Sequence, residues 1–341
     1  MTTQPLLDFS VFSHGPLLDG HVHLWPAVQP EALWAVLQAT GAARCNAVAV
    51  AALADQPLNE TVWRFKAASQ GRAYAFGALD YSAHFAGGTL EPDDLAAQAC
   101  ALWQRGFDGI KMVEGKTAVY PSLPGRFDSP FFEPFFAWME EQGVPILLHV
   151  ADPQRLWEAD RVGVERWSYA GGGFPSRQEQ YAELERLLGR HPRLRLILAH
   201  FLFLWDDLPA AAAFLEAHPS AALDLAPGVE GYLMLSRTAA QAGEFLRRYQ
   251  ERIIYGTDMG AGPLLDSPAQ APLPREAARA WLVRAFLETD WTLPMPSGAG
   301  WGADPFAGQL LQGLALPPPT LERLYRLNFE EWVGAAPRPL A

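Results

Sequence analysis

The chain is expected to fold as an α/β protein, a single (β/α)8 TIM barrel over residues 1–341. Two observations carry this expectation. Short apolar runs alternate with longer amphipathic segments, and the alternation recurs eight times. The runs are near-continuous in apolar residues, as suits strands of a parallel sheet buried on both faces. A hydrophobic share of 50% and a charged share of 19% are ordinary for a globular chain, and 341 residues suit one barrel with insertions.

The expected strands are 17–23 (LLDGHVH), 45–52 (CNAVAVAA), 74–80 (YAFGALD), 107–113 (FDGIKMV), 145–150 (PILLHV), 194–200 (LRLILAH), 221–226 (AALDLA) and 252–258 (RIIYGTD). The segments between them read as helices. Residues 30–41 begin at a Pro and end at a Gly, the usual asymmetry of helix ends. Residues 91–106 start with Glu91-Pro92-Asp93-Asp94 and end at Gly106, and residues 130–143 run from Pro130 to Gly143. Residues 176–191 open on Ser176 with Glu179 three positions later, a capping-box pattern. Residues 207–218 and 237–250 complete the series. Long insertions are expected at 151–176, after strand five, and at 259–300, after strand eight. In barrel enzymes these loops build the active site. The first holds Trp157, Trp167 and Tyr169, the second is rich in Pro, Gly and Ala, and both read as substrate walls or lids. Surface elaboration or a homodimer contact is the alternative.

A net charge of −12 argues against nucleic acid or an anionic membrane as the main partner. It leaves a small-molecule substrate, anionic ones included. Cys45 and Cys100 have no metal-binding spacing and do not suggest a disulfide scaffold. No basic region followed by an apolar run opens the chain, and no stretch reads as a transmembrane helix, so a cytoplasmic protein is expected.

The chemistry gathers at strand ends. Residues i and i+2 of a strand share a face, so Asp19, His21 and His23 point one way, with Asp19 one layer deeper. Four of the eight histidines fall at expected strand ends: His21, His23, His149 and His200. Asp224 lies on strand seven and Asp258 ends strand eight. In a closed barrel these ends meet at one mouth. Neutral imidazoles with one carboxylate hold Zn2+, Mn2+ or Fe2+ and leave a position for water, whose pKa the metal lowers. His149 reads as the third imidazole ligand. Asp258 is placed to bridge metal and water and to act as catalytic base, and His200 to polarise a carbonyl. Lys111 reads as a free lysine for an anionic substrate group. The alternatives are a salt bridge to Asp80, Asp224 or Glu114, or carbamylation, which alone would bring a second metal.

These segments resemble the amidohydrolase superfamily, within it the amidohydrolase-related group of metal-dependent hydrolases, lactonases and aminocarboxymuconate-semialdehyde and resorcylate decarboxylases. Asp19-Gly20-His21-Val22-His23 looks like the family's D-x-H-x-H, and Gly106-Phe107-Asp108-Gly109-Ile110-Lys111 like its G-F-x-G-[IV]-K. Gly143-Val144-Pro145-Ile146-Leu147-Leu148-His149 looks like G-x-P-[IV]-x-x-H. Leu198-Ala199-His200 resembles the next strand and Tyr255-Gly256-Thr257-Asp258 the closing [FY]-G-[ST]-D. Leu327-Asn328-Phe329 resembles a C-terminal helix with a characteristic Asn. The resemblance implies one catalytic metal, usually zinc or manganese, on His21, His23, His149 and Asp258, with His200 as a catalytic or ligand residue beside it.

The expected activity is metal-dependent hydrolysis of a small ester, lactone or amide by an activated water. The alternative is a lyase, non-oxidative decarboxylation of a small carboxylated ring or enol at the same site. Arginines would hold carboxylates there, and Arg126, Arg177 and Arg237 follow strands four, five and seven. With Lys111, Trp25, Trp167 and Tyr169 they form the expected substrate-binding set. A non-catalytic binder would lack a His or Asp of the metal set, and none is missing.

Overall fold

The computed structural model describes residues 7–25, 29–51, 58–158, 168–227, 230–260, 273–296 and 308–341. Eight parallel strands follow one another in sheet order, giving the expected (β/α)8 barrel. They are β1 (Leu17–His23), β2 (Ala42–Val48), β3 (Ala73–Gly77), β4 (Gly109–Gly115), β5 (Ile146–Val150), β6 (Leu196–Leu198), β7 (Ala221–Asp224) and β8 (Ile253–Ile254). The ring closes between β1 and the chain beyond β8. Gly20 N donates to Tyr255 O at 3.0 Å and His23 N to Met259 O at 2.7 Å. A Cβ at residue 20 would stand 2.9 Å from Tyr255 O, so this closure requires glycine inside the D-x-H-x-H strand.

Helices occupy the connections: Pro30–Ala39, Asn59–Ala68, Pro92–Gln104, Glu133–Gln142, Arg177–Arg190, Leu208–Ala217, Ala239–Arg248 and Leu273–Glu288. Their ends follow local rules. Ser176 and Glu179 exchange side-chain and backbone hydrogen bonds as a capping box, and Gly143 ends its helix in the left-handed conformation at φ 64°. The helix Leu273–Glu288 lies inside the segment 259–300 expected as an insertion; part of that segment is the barrel's own eighth helix. No helix among the described residues is long and apolar enough to cross a membrane.

Two apolar layers hold the fold. The larger lies between the strands and the helices. The smaller fills the barrel with inward residues such as Leu18, Val48, Leu147, Ile197 and Ile254. Phe329 joins this inner layer from the C-terminal helix Asn328–Trp332, its ring 5.0 Å from Tyr74 and 6.5 Å from Phe76. Asn328 Nδ2 donates to Gln250 O and Ile253 O at 2.5 and 2.6 Å, fixing that plug to β8.

Two strands, β6 and β8, fall furthest short of the expected ranges. β8 stops at Ile254 because Tyr255 N turns to Leu324 O in the C-terminal segment. β6 stops at Leu198 because His200, Phe201, Leu202 and Phe203 all adopt positive φ, between 53° and 57°. Such a run of L-residues costs roughly 1–2 kcal/mol per residue in isolation, so the surroundings must hold it.

Candidate metal centre

His21, His23 and Asp258 converge at the C-terminal end of the barrel, all buried, with their ligand atoms within 4.8 Å of one another. The period-2 geometry of β1 accounts for the pair: the two Nε2 atoms stand 3.2 Å apart. Asp258 comes across the closure from the end of β8, where its φ of 54° turns the carboxylate inward. Its Oδ1 lies 3.0 Å from His23 Nε2 and 3.6 Å from His21 Nε2.

The neighbouring groups fix the tautomers. His21 Nδ1 is 2.8 Å from Asp224 Oδ2. A carboxylate accepts, so this nitrogen carries the proton and Nε2 turns its lone pair into the cluster. Burial holds the His21 imidazole well below its ordinary pKa, with Lys111 acting in the same direction. The ring is neutral, as ligation demands. Burial pushes the Asp258 carboxyl up, but the hydrogen bond from His23 and the imidazoles around it reverse this and keep it well below the usual range. Arg279, buried on the helix Leu273–Glu288, donates from Nη1 to both Asp258 O and Oδ2 at 2.6 and 3.1 Å.

These donors fit a divalent metal. Two imidazole nitrogens about 2.1 Å from one ion at a tetrahedral angle stand about 3.4 Å apart, close to the observed 3.2 Å. Two imidazoles and a carboxylate are also the donor set such ions take.

Asp19 is no ligand. Its carboxylate accepts from Thr257 Oγ1 at 2.5 Å, and from Thr257 N and His21 N at 3.1 Å, so it staples β1 to the closing segment beneath the cluster. Burial raises its pKa to about 7, against these hydrogen bonds.

His149 and His200 form a second layer. Their rings lie 4.9 Å apart, and His200 is 5.5 Å from His21. His149 does not join the three ligand groups. Its Nε2 faces Ala151 O at 2.9 Å, because Ala151 takes a φ of 62° and turns that carbonyl back toward the ring. The proton is then on Nε2 and the lone pair on Nδ1. Burial holds the ring down to about pKa 4, with Lys116 adding to the effect. His200 Nδ1 is 3.2 Å from Ala226 O, which leaves a lone pair on Nε2. That tautomer suits a base or a ligand; it lacks the Nε2 proton that the expected polarisation of a carbonyl would need.

Lys111 is buried on β4, and among the described residues it makes no hydrogen bond or ion pair; none of Asp80, Asp224 and Glu114 bridges it. Burial lowers its pKa to about 8, opposed by the fields of Asp224, Asp258 and Glu114.

The expected substrate residues divide. Trp25 closes over the strand ends, Nε1 donating to Gly260 O at 2.5 Å. Tyr169 is buried and donates to Asp152 Oδ2 at 2.7 Å, while Lys116 Nζ reaches Asp152 Oδ1 at 2.6 Å. Asp152 thus ties the loop after β5 to the end of β4, 3.4 Å from His149 Nε2. Trp167 lies outside the described residues. Arg126 pairs with Glu183 on the helix Arg177–Arg190, and Arg237 is exposed, its Nη1 donating to Met234 Sδ at 3.4 Å. Arg177 is buried beside the mouth. The sequence reading missed Arg279 and Asp152. Arg279 carried no motif, whereas Asp152, three residues after His149, had a position that could have flagged it.

Comparison with known proteins agrees with the barrel fold. An uncharacterised TIM-barrel protein of Bordetella bronchiseptica is 13% identical, covers 94% of this chain and 98% of its own, and superposes with a TM-score of 0.57. The 2,6-dihydroxybenzoate decarboxylase from Rhizobium is 14% identical, covering 94% and 99%, with a TM-score of 0.56. At such identity these likenesses speak for the fold. No curated protein matches the sequence. The model of the amidohydrolase family matches residues 18–334, from the strand that carries His21 and His23 to the helix beyond Asn328, and the chain belongs to that family.

Proposed function

We propose that this protein is a metal-dependent hydrolase acting on a small ester, lactone or amide. The observation that carries the reading is the convergence of two imidazole nitrogens and the Asp258 carboxylate within 4.8 Å at the barrel mouth. His21, His23 and Asp258 would hold the metal, with His149 or His200 approaching from the adjoining layer. When bound, the ion supplies Lewis acidity toward a carbonyl and lowers the pKa of a water.

The chain's own groups do the rest. Asp258 accepts a proton from the attacking water and delivers it to the leaving group; Arg279 fixes the orientation of its carboxylate. His200 accepts a hydrogen bond at Nε2 and so orients that water. Lys111 offers three donors and a positive charge to an anionic substrate group or to the charge developing on the carbonyl oxygen. Trp25 and the buried Tyr169 shield the reaction from bulk water.

Metal analysis of the purified protein, with turnover on a panel of esters, lactones and amides, tests this. Stoichiometric metal that is lost in His21→Ala/His23→Ala is expected, together with hydrolysis abolished in Asp258→Asn. Absence of metal, or carbon dioxide release from carboxylated aromatics without hydrolysis, would overturn the reading.

A further inference from the structure

Six lysine and arginine side chains are buried among the described residues: Lys66, Lys111, Arg155, Arg177, Arg279 and Arg284. Four have a carboxylate partner, namely Asp108, Glu230, Asp258 and Glu288. Lys111 and Arg177 have none. A buried cation without a counter-charge is costly, and both stand at the mouth of the barrel.

Arg177 borders a small cavity between the chain leaving β5, the turn after β6 and the helix Gly231–Arg237. Its guanidinium is held from behind. Nε and Nη2 donate to Tyr181 Oη at 3.2 and 2.8 Å, and Nη2 also to Phe203 O at 2.8 Å. Nη1 has no partner among the described residues. Trp205 lines the same cavity, and its indole N–H is buried without a hydrogen-bond partner. The acids nearby leave this charge uncompensated: Glu230 pairs with Arg155, and Asp206 is exposed at the rim, beyond ion-pair distance of Arg177. The cavity measures about 30 Å³, room for about two water-sized atoms, which is the pair of oxygens of one carboxylate. Phe203 forms part of its wall and also lies 5.4 and 5.3 Å from the rings of His149 and His200. A group bound in the cavity is therefore one phenyl ring from His149 and His200, the layer that adjoins the metal centre.

We propose that this cavity is a carboxylate subsite, in which Arg177 and the Trp205 N–H bind the anionic end of the substrate while its scissile bond lies at the metal centre. The proposal rests on the hydrolase reading for the second half of that statement only. The substrate class becomes a small carboxylated ester, lactone or amide.

Calorimetric titration with benzoate, and with benzamide as the uncharged isostere, tests the subsite. Benzoate is expected to bind the native protein and benzamide not, and Arg177→Gln should weaken benzoate by about tenfold or more, the usual loss for a charge-assisted hydrogen bond. Arg177→Lys, which keeps the charge and loses the planar fork, should weaken it less and serves if the Gln variant does not fold. Tyr181→Phe removes the support behind the guanidinium and should leave benzoate binding intact; an equal loss there would make Arg177 a prop for the turn after β6 and overturn the subsite. Equal binding of benzoate and benzamide, or an unaffected Arg177→Gln, overturns it too. In His21→Ala/His23→Ala, benzoate binding should persist. Its loss would place the carboxylate on the metal centre instead, whereas benzoate binding by a native protein that hydrolyses none of the ester, lactone and amide panel would sustain the subsite while the hydrolase reading failed.

Discussion

His21 Nδ1 stands 2.8 Å from Asp224 Oδ2, with both side chains sealed at the ends of β1 and β7. The same carboxylate accepts from His200 N at 2.7 Å through Oδ1. One acid thus sets the tautomer of a proposed metal ligand and the start of the left-handed turn that carries a proposed catalytic residue. Asp224→Asn keeps the size of the side chain and its Oδ1 acceptor but loses the charge. It is expected to lower metal affinity about 10- to 100-fold, read by competition with a chelator. Unchanged affinity would mean that the pair only supports the fold.

Lys111 predicts opposite effects on stability and activity. Its pKa falls from 10.5 to about 8, chiefly through burial. Between those values the unfolded chain binds the proton and the folded one does not, so stability should rise with pH across that window and be lowest below it. Lys111→Met removes the buried charge. At neutral pH it is expected to stabilise the protein by on the order of 1–3 kcal/mol while kcat/KM falls. A loss of stability would mean that the fields of Asp224, Asp258 and Glu114 outweigh the cost of burying the charge.

Glu114 predicts a pH dependence at lower pH. Burial raises its pKa from 4.5 to about 7, although Tyr81 donates to Oε1 at 2.8 Å. The folded state holds this proton where the unfolded state has released it. Its contribution is therefore full below pH 4.5 and declines as pH rises toward 7, by on the order of 3 kcal/mol. In Glu114→Gln the slope of melting temperature against pH over that interval should flatten, and an unchanged slope would remove Glu114 as its source.

Asn328 predicts a loss of stability without a loss of chemistry. Its amide serves two carbonyls, one of them Ile253 O on β8. Asn328→Ala leaves both without this donor and opens space beside Phe329, and should cost about 2–4 kcal/mol in denaturant unfolding. Metal content of the folded fraction should not change.

The regular part of this fold was legible because burial imposes a period. Continuous apolar runs marked the strands, and the i, i+2 rule put His21 and His23 on one face. What escaped the reading depends on the sign of φ in residues other than glycine. Nothing in Leu198-Ala199-His200-Phe201 announces a left-handed turn, so β6 was expected to run to His200. Ala151 likewise turns a carbonyl onto His149 and holds that ring apart from the ligand group. Arg279 and Asp258 meet only once the ring has closed, across a separation that local patterning does not encode. The arginines are a matter of neighbours: Arg126 has Glu183 and Arg177 has no acid, a difference fixed by packing.

Phe329 makes the barrel a cup rather than a pipe. With its ring seated on Tyr74 and Phe76 at the closed end, substrate enters and product leaves by the same opening. The two must take turns, so product should inhibit competitively. Any change to the rim that slows admission will slow departure as well, and faster turnover has to be sought in the loops around Trp25 and Tyr169, not by boring through the base.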